Sequence, residues 1–175
     1  MKDAKKNSIF ALGAFVIYLM SIITIQIAWP DPEISNFPKS CPEESLNCSM
    51  IGPNSHRSGG LNELRFNSSL ETTMSETQNW ILNYPRTKVI SDADNQTHAV
   101  FTTMLLRFND DFVVSGFCED GQSVIHVYSS SRQGISDLGL NKERVISFAE
   151  HMLSCLLYTS PSPRDLSTSR MPTSA

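Results

Sequence analysis

Charged and hydrogen-bonding side chains are concentrated in the second half of the chain. The candidates for ligand binding are Arg107, Asp110, Asp111, His126, Arg132, Asp137, Asn141 and Arg144. The adjacent carboxylates of Asp110 and Asp111 could bind a hard cation or share a proton. However, an Asn-Asp-Asp run is more often turn chemistry, in which the side chains bond the local backbone, and we favour that interpretation. The arginines at 107, 132 and 144 could instead bind an anionic group such as a lipid headgroup.

A polar loop holds Arg132 and Asp137 on either side of Gly134. The two side chains could pair and clamp the loop, which is the favoured interpretation, or Arg132 could face outward toward an anion. Arg144 falls in the first turn of a predicted helix, where the helix dipole disfavours a cation. We therefore expect a carboxylate such as Asp137, or a ligand, to compensate Arg144.

His126 lies in a predicted strand among apolar neighbours. Catalysis by histidine usually requires an orienting acid and a nucleophile, and no nucleophile-elbow pattern surrounds the nearby Ser129 to Ser131. A structural role is favoured, and we assign no catalytic residue. The chain shows no phosphate-binding loop, no dinucleotide fingerprint and no ligand spacing for a metal. We predict no metal site and no cofactor, and whether the protein is an enzyme stays open.

Apolar periodicity and turn signals predict the elements that carry these residues. A stripe from Leu70 to Tyr84 predicts a helix, and four short strands follow at 87–91, 98–108, 112–118 and 123–129. Strands joined by such tight turns must form an antiparallel meander. A last helix is expected with Asn141 as its cap. The predicted fold class is α+β, a two-layer, four-stranded antiparallel meander with two helices on one face, preceded by one N-terminal transmembrane helix.

The uncharged run Ile9–Trp29 is long enough to cross the hydrocarbon core of a bilayer. Lys2, Lys5 and Lys6 precede it, so residues 1–8 are expected in the cytoplasm and the domain in the periplasm, a lumen or the extracellular space. The run exceeds the usual apolar core of a signal peptide, so a retained signal-anchor is favoured over a cleaved signal. Residues 30–60 are predicted as a stalk and lead-in loop, and 61–154 as the α+β domain.

Two further features fit a non-cytoplasmic domain. Asn47, Asn67 and Asn95 each begin a formal N-glycosylation sequence. Cys41 and Cys48 are close neighbours in a Pro-rich segment, which suits a short-loop disulfide in an oxidising compartment. Cys118 is then left as a thiol that we expect to be buried.

Residues 155–175 resemble translated sequencing-adaptor read-through. Their richness in Ser, Pro and Thr predicts disorder. We therefore give this segment no role in the function.

Several short motifs stand at fixed spacing between Cys41 and His151. They are Cys41-Pro42, Asn47-Cys48, Pro85-Arg86-Thr87, Arg107-Phe108, Asp110-Asp111, Ile125-His126-Val127, Ser131-Arg132, Gly134, Ser136-Asp137-Leu138-Gly139, Asn141 and Arg144. Together they resemble the bacterial and plastid family called domain of unknown function 1499. The resemblance implies a small domain, often membrane-attached or exported, with no assigned activity. The chain departs from the family at Tyr128, where Arg is usual, and near Val113, where an acidic residue is usual.

Two hypotheses for the function follow. The first is a non-enzymatic, membrane-anchored binding or assembly module, whose partners are the membrane and either an unknown protein or a small anionic ligand. The alternative is a membrane-surface hydrolase or lipid-modifying enzyme that uses His126 with nearby Asp residues. The net charge of −4 gives no reason to expect nucleic acid as a partner.

Overall fold

A computed structural model describes residues 2–28, 30 and 32–157 of the chain. Trp29 and most of the segment 155–175 lie outside the described residues. The disorder predicted for that segment therefore stays a prediction. In chain order the elements are α1 (Lys2–Ala28), β1 (Cys48–Ile51), β2 (Leu64–Phe66), α2 (Leu70–Asn83), β3 (Thr87–Ala93), β4 (Gln96–Thr102), β5 (Asn109–Glu119), β6 (Gln122–Ser131) and α3 (Leu140–Leu157).

The strands form one antiparallel sheet in the order β1-β6-β5-β4-β3. Strands β1 and β2 pair with the same edge of β6, β1 along one half of that edge and β2 along the other half. The predicted meander is confirmed for β3 to β6. The predicted count of four strands was wrong, because the structure has six strands in the described residues. The two extra strands pair with β6 and are largely buried, so they cover a sheet edge that would otherwise be open.

Helices α2 and α3 pack on one face of the sheet and contact each other, as the α+β prediction requires. An aromatic cluster joins the two layers. The ring of Trp80 in α2 lies 5.5 Å from that of Phe112 in the sheet and 5.2 Å from that of Phe148 in α3. Such pairs add stability beyond the apolar area they bury.

Within α1, the segment Lys6–Ala28 is long and apolar enough to cross a membrane, as an anchor or as a signal sequence. The chain after α1 covers the sheet face opposite the helices. There the backbone N–H of Ile34 donates to His98 Nδ1 at 3.3 Å, and the side chain of Gln96 donates to the Ile34 carbonyl at 2.9 Å.

The predicted turn between the second and third meander strands was misplaced. β4 ends at Thr102, and Asn109, Asp110 and Asp111 begin β5 instead of forming a turn. The connection runs from Thr103 to Phe108 and is closed by a hydrogen bond from the Thr103 N–H to the Phe108 carbonyl, 2.9 Å long. We call it the 103–108 loop.

The cysteine predictions had mixed outcomes. The disulfide between Cys41 and Cys48 is present. Cys118 is exposed, not buried. The reason is that the β5–β6 hairpin extends past β4, whose pairing with β5 stops at Ser115.

Candidate functional site

Asp110 and Asp111 are neighbours in β5 and therefore point to opposite faces of the sheet. Asp110 faces α3 and pairs with Arg144. Asp111 faces the chain that follows α1 and pairs with Arg132. Because the sheet separates them, the two carboxylates do not form a common cation site or share a proton.

The Asp110–Arg144 pair is buried between β5 and α3. Arg144 Nη2 donates to Asp110 Oδ2 at 2.9 Å, and Nη1 donates to Ser129 Oγ at 3.0 Å and to Asn141 Oδ1 at 2.5 Å. The guanidinium also lies 4.6 Å from the centre of the Phe101 ring, a cation–π contact. The carboxylate that compensates Arg144 is thus Asp110, and the expectation of Asp137 was wrong.

Asn141 links three parts of the chain through its buried side chain. Its Nδ2 donates to the Asn47 carbonyl at 3.0 Å and to Ser131 Oγ at 2.9 Å, while its Oδ1 accepts from Ser129 and Arg144. Asn47 in turn donates from its own Nδ2 to the Gly134 carbonyl at 2.8 Å. The lead-in chain, β6 and α3 are therefore held together by one polar network.

The three glycosylation candidates differ in environment. Asn67 and Asn95 are exposed, whereas Asn47 is half-buried. The Asn47 Nδ2 atom, where a glycan would attach, is the atom that bonds Gly134. A glycan at Asn47 would therefore compete with this network.

Asp137 caps α3. Its Oδ1 accepts from the Gly139 N–H at 2.9 Å and its Oδ2 from the Asn141 N–H at 2.7 Å. Burial raises the pKa of Asp137, but these backbone donors and Arg57, 3.7 Å away, outweigh it and hold the pKa below its usual value. The predicted cap at Asn141 was wrong, because the Asp137 carboxylate satisfies the free N–H groups of the first turn.

Arg132 clamps Asp111 on the opposite sheet face. Its Nε donates to Asp111 Oδ2 at 2.9 Å and its Nη2 to Oδ1 at 2.6 Å, a bidentate pair. His98 accepts from Ile34 at Nδ1, so Nε2 carries the proton that it donates to Asp111 Oδ1 at 2.8 Å. Burial raises the pKa of Asp111, but Arg132 and His98 outweigh it and lower the pKa. The predicted pairing of Arg132 with Asp137 was wrong.

His126 is not brought together with the aspartates. Its Nε2 lies 3.3 Å from Glu63 Oε1, and its ring packs beside Phe117 and Phe37. Along β6 it is about 13 Å from Ser130, the cross-strand partner of Asp111. The structure therefore leaves His126 outside hydrogen-bond reach of the residues that the hydrolase hypothesis would combine with it.

The two positions at which the chain departs from the resembling family are linked. Val113 and Tyr128 are cross-strand partners in β5 and β6. Such partners interact directly on one face of a sheet. The two departures therefore fall on neighbouring strands at one place in the sheet.

A groove of about 500 Å³ opens at the end of the sheet where β4 and β6 end and β5 begins. Its walls are the 103–108 loop and the loop from Arg132 to Gly139, which we call the 132–139 loop. The apolar lining consists of Tyr84, Phe101, Met104, Leu105, Leu106, Phe108, Leu138 and Leu140. Asp110, Gln133 and Arg144 also line the groove. Asp110 and Arg144 are buried and Gln133 is half-buried. We call these three residues the floor of the groove.

The floor contains polar atoms with no hydrogen-bond partner among the described residues. They are Asp110 Oδ1, Arg144 Nε, and both amide atoms of Gln133. A buried polar group left unpaired costs about 1–3 kcal/mol, and such exceptions in a folded protein call for an explanation. The floor thus contains both unpaired donor atoms and unpaired acceptor atoms.

Sequence reasoning missed several residues of this site. His98 and Gln133 gave no local signal, because their positions depend on strand register. The run Met104-Leu105-Leu106 was assigned to a strand, although it lies in an exposed loop. Arg107, a predicted binding residue, is exposed at the end of that loop, and its carbonyl accepts from Gln26 at 2.6 Å.

Two solved structures are distantly similar to the chain. One is TTHA0849 from Thermus thermophilus, with 9% identity, a TM-score of 0.36, and coverage of 65% of this chain and 99% of that one. The other is CalU16 from Micromonospora echinospora, with 9% identity, a TM-score of 0.30, and coverage of 55% and 76%. No match is found among curated proteins. The model of the family described as "Protein of unknown function (DUF1499)" matches residues 38–152, as the motifs predicted, and the chain belongs to this family.

Proposed function

We propose that the protein is a single-pass, membrane-anchored binding module that holds a small amphiphilic ligand in the groove. The observation that carries this proposal is the combination of apolar walls with a floor of unpartnered buried donors and acceptors. Ligand sites are typically clefts of this size, mostly apolar, with a few placed polar groups. The lining fits a molecule with an apolar chain and one polar end.

The charge of the groove also bears on the ligand. Asp110 and Arg144 neutralise each other at the floor, so the polar end of the ligand needs hydrogen-bonding capacity more than charge. Arg86 is exposed where it lines the groove and can approach an anionic group from outside.

The positions of the candidate catalytic residues favour binding over hydrolysis. A hydrolase built on His126 needs an aspartate within hydrogen-bond reach. His126 instead faces Glu63, and the three aspartates serve two buried ion pairs and a helix cap.

We also propose that α1 is a retained anchor with its N-terminus in the cytoplasm. The lysines before the apolar run favour this orientation, and the Cys41–Cys48 disulfide fits an oxidising compartment. Hydrogen bonds from Tyr18 and Gln26 to the 103–108 loop would be lost if α1 were cleaved off. Protease protection in sealed vesicles tests the orientation, and the mass of the mature chain tests retention.

Photolabelling tests the groove. The full chain in membranes is exposed to a fatty acid that carries a diazirine on its chain, and the labelled peptides are mapped by mass spectrometry. We expect label on the 103–108 and 132–139 loops. Leu140→Trp, which fills the groove, should reduce this label at least tenfold, whereas the matched change Leu82→Trp on the exposed side of α2 should not.

Two results would contradict the proposal. Label that spreads over the domain surface, or groove label that is insensitive to Leu140→Trp, would show that the groove is not a binding site. His126→Ala should leave the labelling unchanged, and a loss of label in that variant would return His126 to the site.

A further inference from the structure

The end of the sheet that carries the groove is held against the last turns of α1. Gln26 donates to the Arg107 carbonyl and accepts from Asn109 Nδ2 at 3.4 Å. Just after the helix, the Pro30 carbonyl accepts from Arg132 Nη1 at 3.1 Å. Since α1 would enter the bilayer from this end, the groove and its two loops face the membrane.

A second contact places the 103–108 loop beside the spanning segment itself. The Tyr18 hydroxyl donates to the Leu105 carbonyl at 2.7 Å. Tyr18 lies about 15 Å along the helix axis from Ala28, where the segment Lys6–Ala28 ends. With Lys6–Ala28 as the spanning segment, the loop would contact the helix at the level of the hydrocarbon.

Both groove loops present bare apolar side chains at this end. Leu105 is 66% exposed, and Ile135 and Leu138 are 88% and 93% exposed. Leu138 also adopts a φ of 56°, a backbone region that residues other than glycine rarely occupy and that often marks functional sites. An exposed apolar patch of this kind indicates an interaction or membrane surface.

Two basic residues flank this apolar surface. Arg107, in the 103–108 loop, and Arg86, beside that loop, are both exposed. Long basic side chains next to inserted apolar residues can reach the polar interface of a leaflet with their charged ends. Charge and apolarity thus point to the same occupant, a lipid leaflet.

We propose that the two loops insert into the leaflet from which α1 emerges, so that the groove opens onto the acyl chains. The second part of this proposal is that the groove ligand is a membrane lipid, and this part rests on the proposed function. The polar end of the lipid would bond Asp110, Gln133 and Arg144 at the floor. Its chain would follow the apolar walls toward the bilayer.

Depth-dependent quenching tests the insertion without reference to any ligand. The full chain, with Cys118→Ser and Cys155→Ser, is reconstituted in phosphatidylcholine vesicles and labelled with a fluorophore at Met104→Cys or Leu138→Cys. The matched control is the native Cys118 labelled in a Cys155→Ser chain, because Cys118 is exposed and lies about 30 Å along β5 from Asn109.

Lipids brominated on their acyl chains should quench both loop labels at least threefold more than the Cys118 label. Equal quenching at all three positions, or quenching at one loop only, overturns the proposed two-loop insertion.

A photoactivatable phospholipid and a short, water-soluble photoactivatable fatty acid separate the two proposals. Groove label from the phospholipid, with quenched loops, supports both. Quenched loops without groove label from either probe would keep the insertion and refute the proposed function. Groove label from the soluble fatty acid alone, with unquenched loops, would keep the proposed function and overturn the insertion.

Discussion

Removal of Arg132 should destabilise the domain chiefly through the carboxylate that it leaves behind. Arg132 and Asp111 form a bidentate pair whose side chains are 7% and 10% exposed. In Arg132→Ala, Asp111 would stay buried with His98 as its remaining side-chain partner among the described residues. The variant thus leaves a poorly compensated charge in the interior.

The size of the effect follows from this burial. Breaking a buried pair by removing one partner usually costs about 3–5 kcal/mol. Because His98 still donates to Asp111, we expect a loss of about 3 kcal/mol in the free energy of unfolding, at the lower end of that range. For a domain of this size, such a loss lowers the melting temperature by roughly 10 °C.

The measurement is thermal unfolding of the full chain in detergent micelles, followed by near-ultraviolet circular dichroism. Arg65→Ala is the matched control, because Arg65 pairs with Glu63 and Glu119 at the surface and such pairs contribute little. The double variant Arg132→Ala/Asp111→Ala should lose less than the sum of the two single variants. A melting temperature for Arg132→Ala equal to that of Arg65→Ala would refute the reasoning.

Three further predictions concern the cap, pH and packing. Asp137→Ala removes both bonds that cap α3 and should cost about 1–2 kcal/mol, measured by thermal unfolding. The pKa values of Asp111 and Asp137 are lowered in the folded state. The stability that these two carboxylates contribute is therefore complete above the unfolded-state pKa of about 3.9 and is lost as pH falls through the folded-state pKa values. Melting curves between pH 2 and 6 check this, and Asp111→Asn should flatten the dependence of the melting temperature on pH. Gly116→Ala should lower the free energy of unfolding by about 1–3 kcal/mol, because the added Cβ would lie 2.7 Å from Leu70 Cδ1 and 2.9 Å from Ile125 Cδ1. An unchanged melting temperature would show that these neighbours move aside freely.

The meander and the disulfide could be predicted because their signals are local. Asp120-Gly121 marks a hairpin, and the structure pairs Glu119 with Gln122 around it. Cys41 and Cys48 are close enough in sequence for a short-loop bridge. The two strands β1 and β2 could not be predicted in this way. They are short, and they form only because β6 offers a long edge.

The 103–108 loop was missed because hydrophobicity alone does not distinguish burial in a core from exposure at the surface. Met104, Leu105 and Leu106 look like a strand that continues β4, but the strand ends at Thr102. Three consecutive apolar residues beside a turn were the available signal for an exposed apolar loop.

Most polar residues of the site, though not His98 and Gln133, were found from the sequence, but their partners were not. Arg132 and Asp111 are 21 residues apart, and Arg144 and Asp110 are 34 apart. Each pairing depends on the register of β5 against β6 and on the packing of α3 on the sheet, which no local pattern encodes. The alternation of a strand would have shown that Asp110 and Asp111 face opposite ways, had the segment been assigned to a strand.

The Asp110–Arg144 pair provides a test of whether the groove floor serves stability or binding. Replacing both members of a buried pair by apolar side chains is often neutral or stabilising, whereas removing one member costs about 3–5 kcal/mol. We therefore expect Arg144→Met alone to lower the melting temperature strongly, and Asp110→Leu/Arg144→Met to restore most of that loss.

If the Asp110–Arg144 pair binds the polar end of a ligand, the double variant should nevertheless lose the groove photolabel, because the unpartnered Asp110 Oδ1 and Arg144 Nε are gone. A stable double variant that labels like the wild type would show that the Asp110–Arg144 pair has no part in binding. A stable variant without label would show that the buried pair is needed for ligand binding.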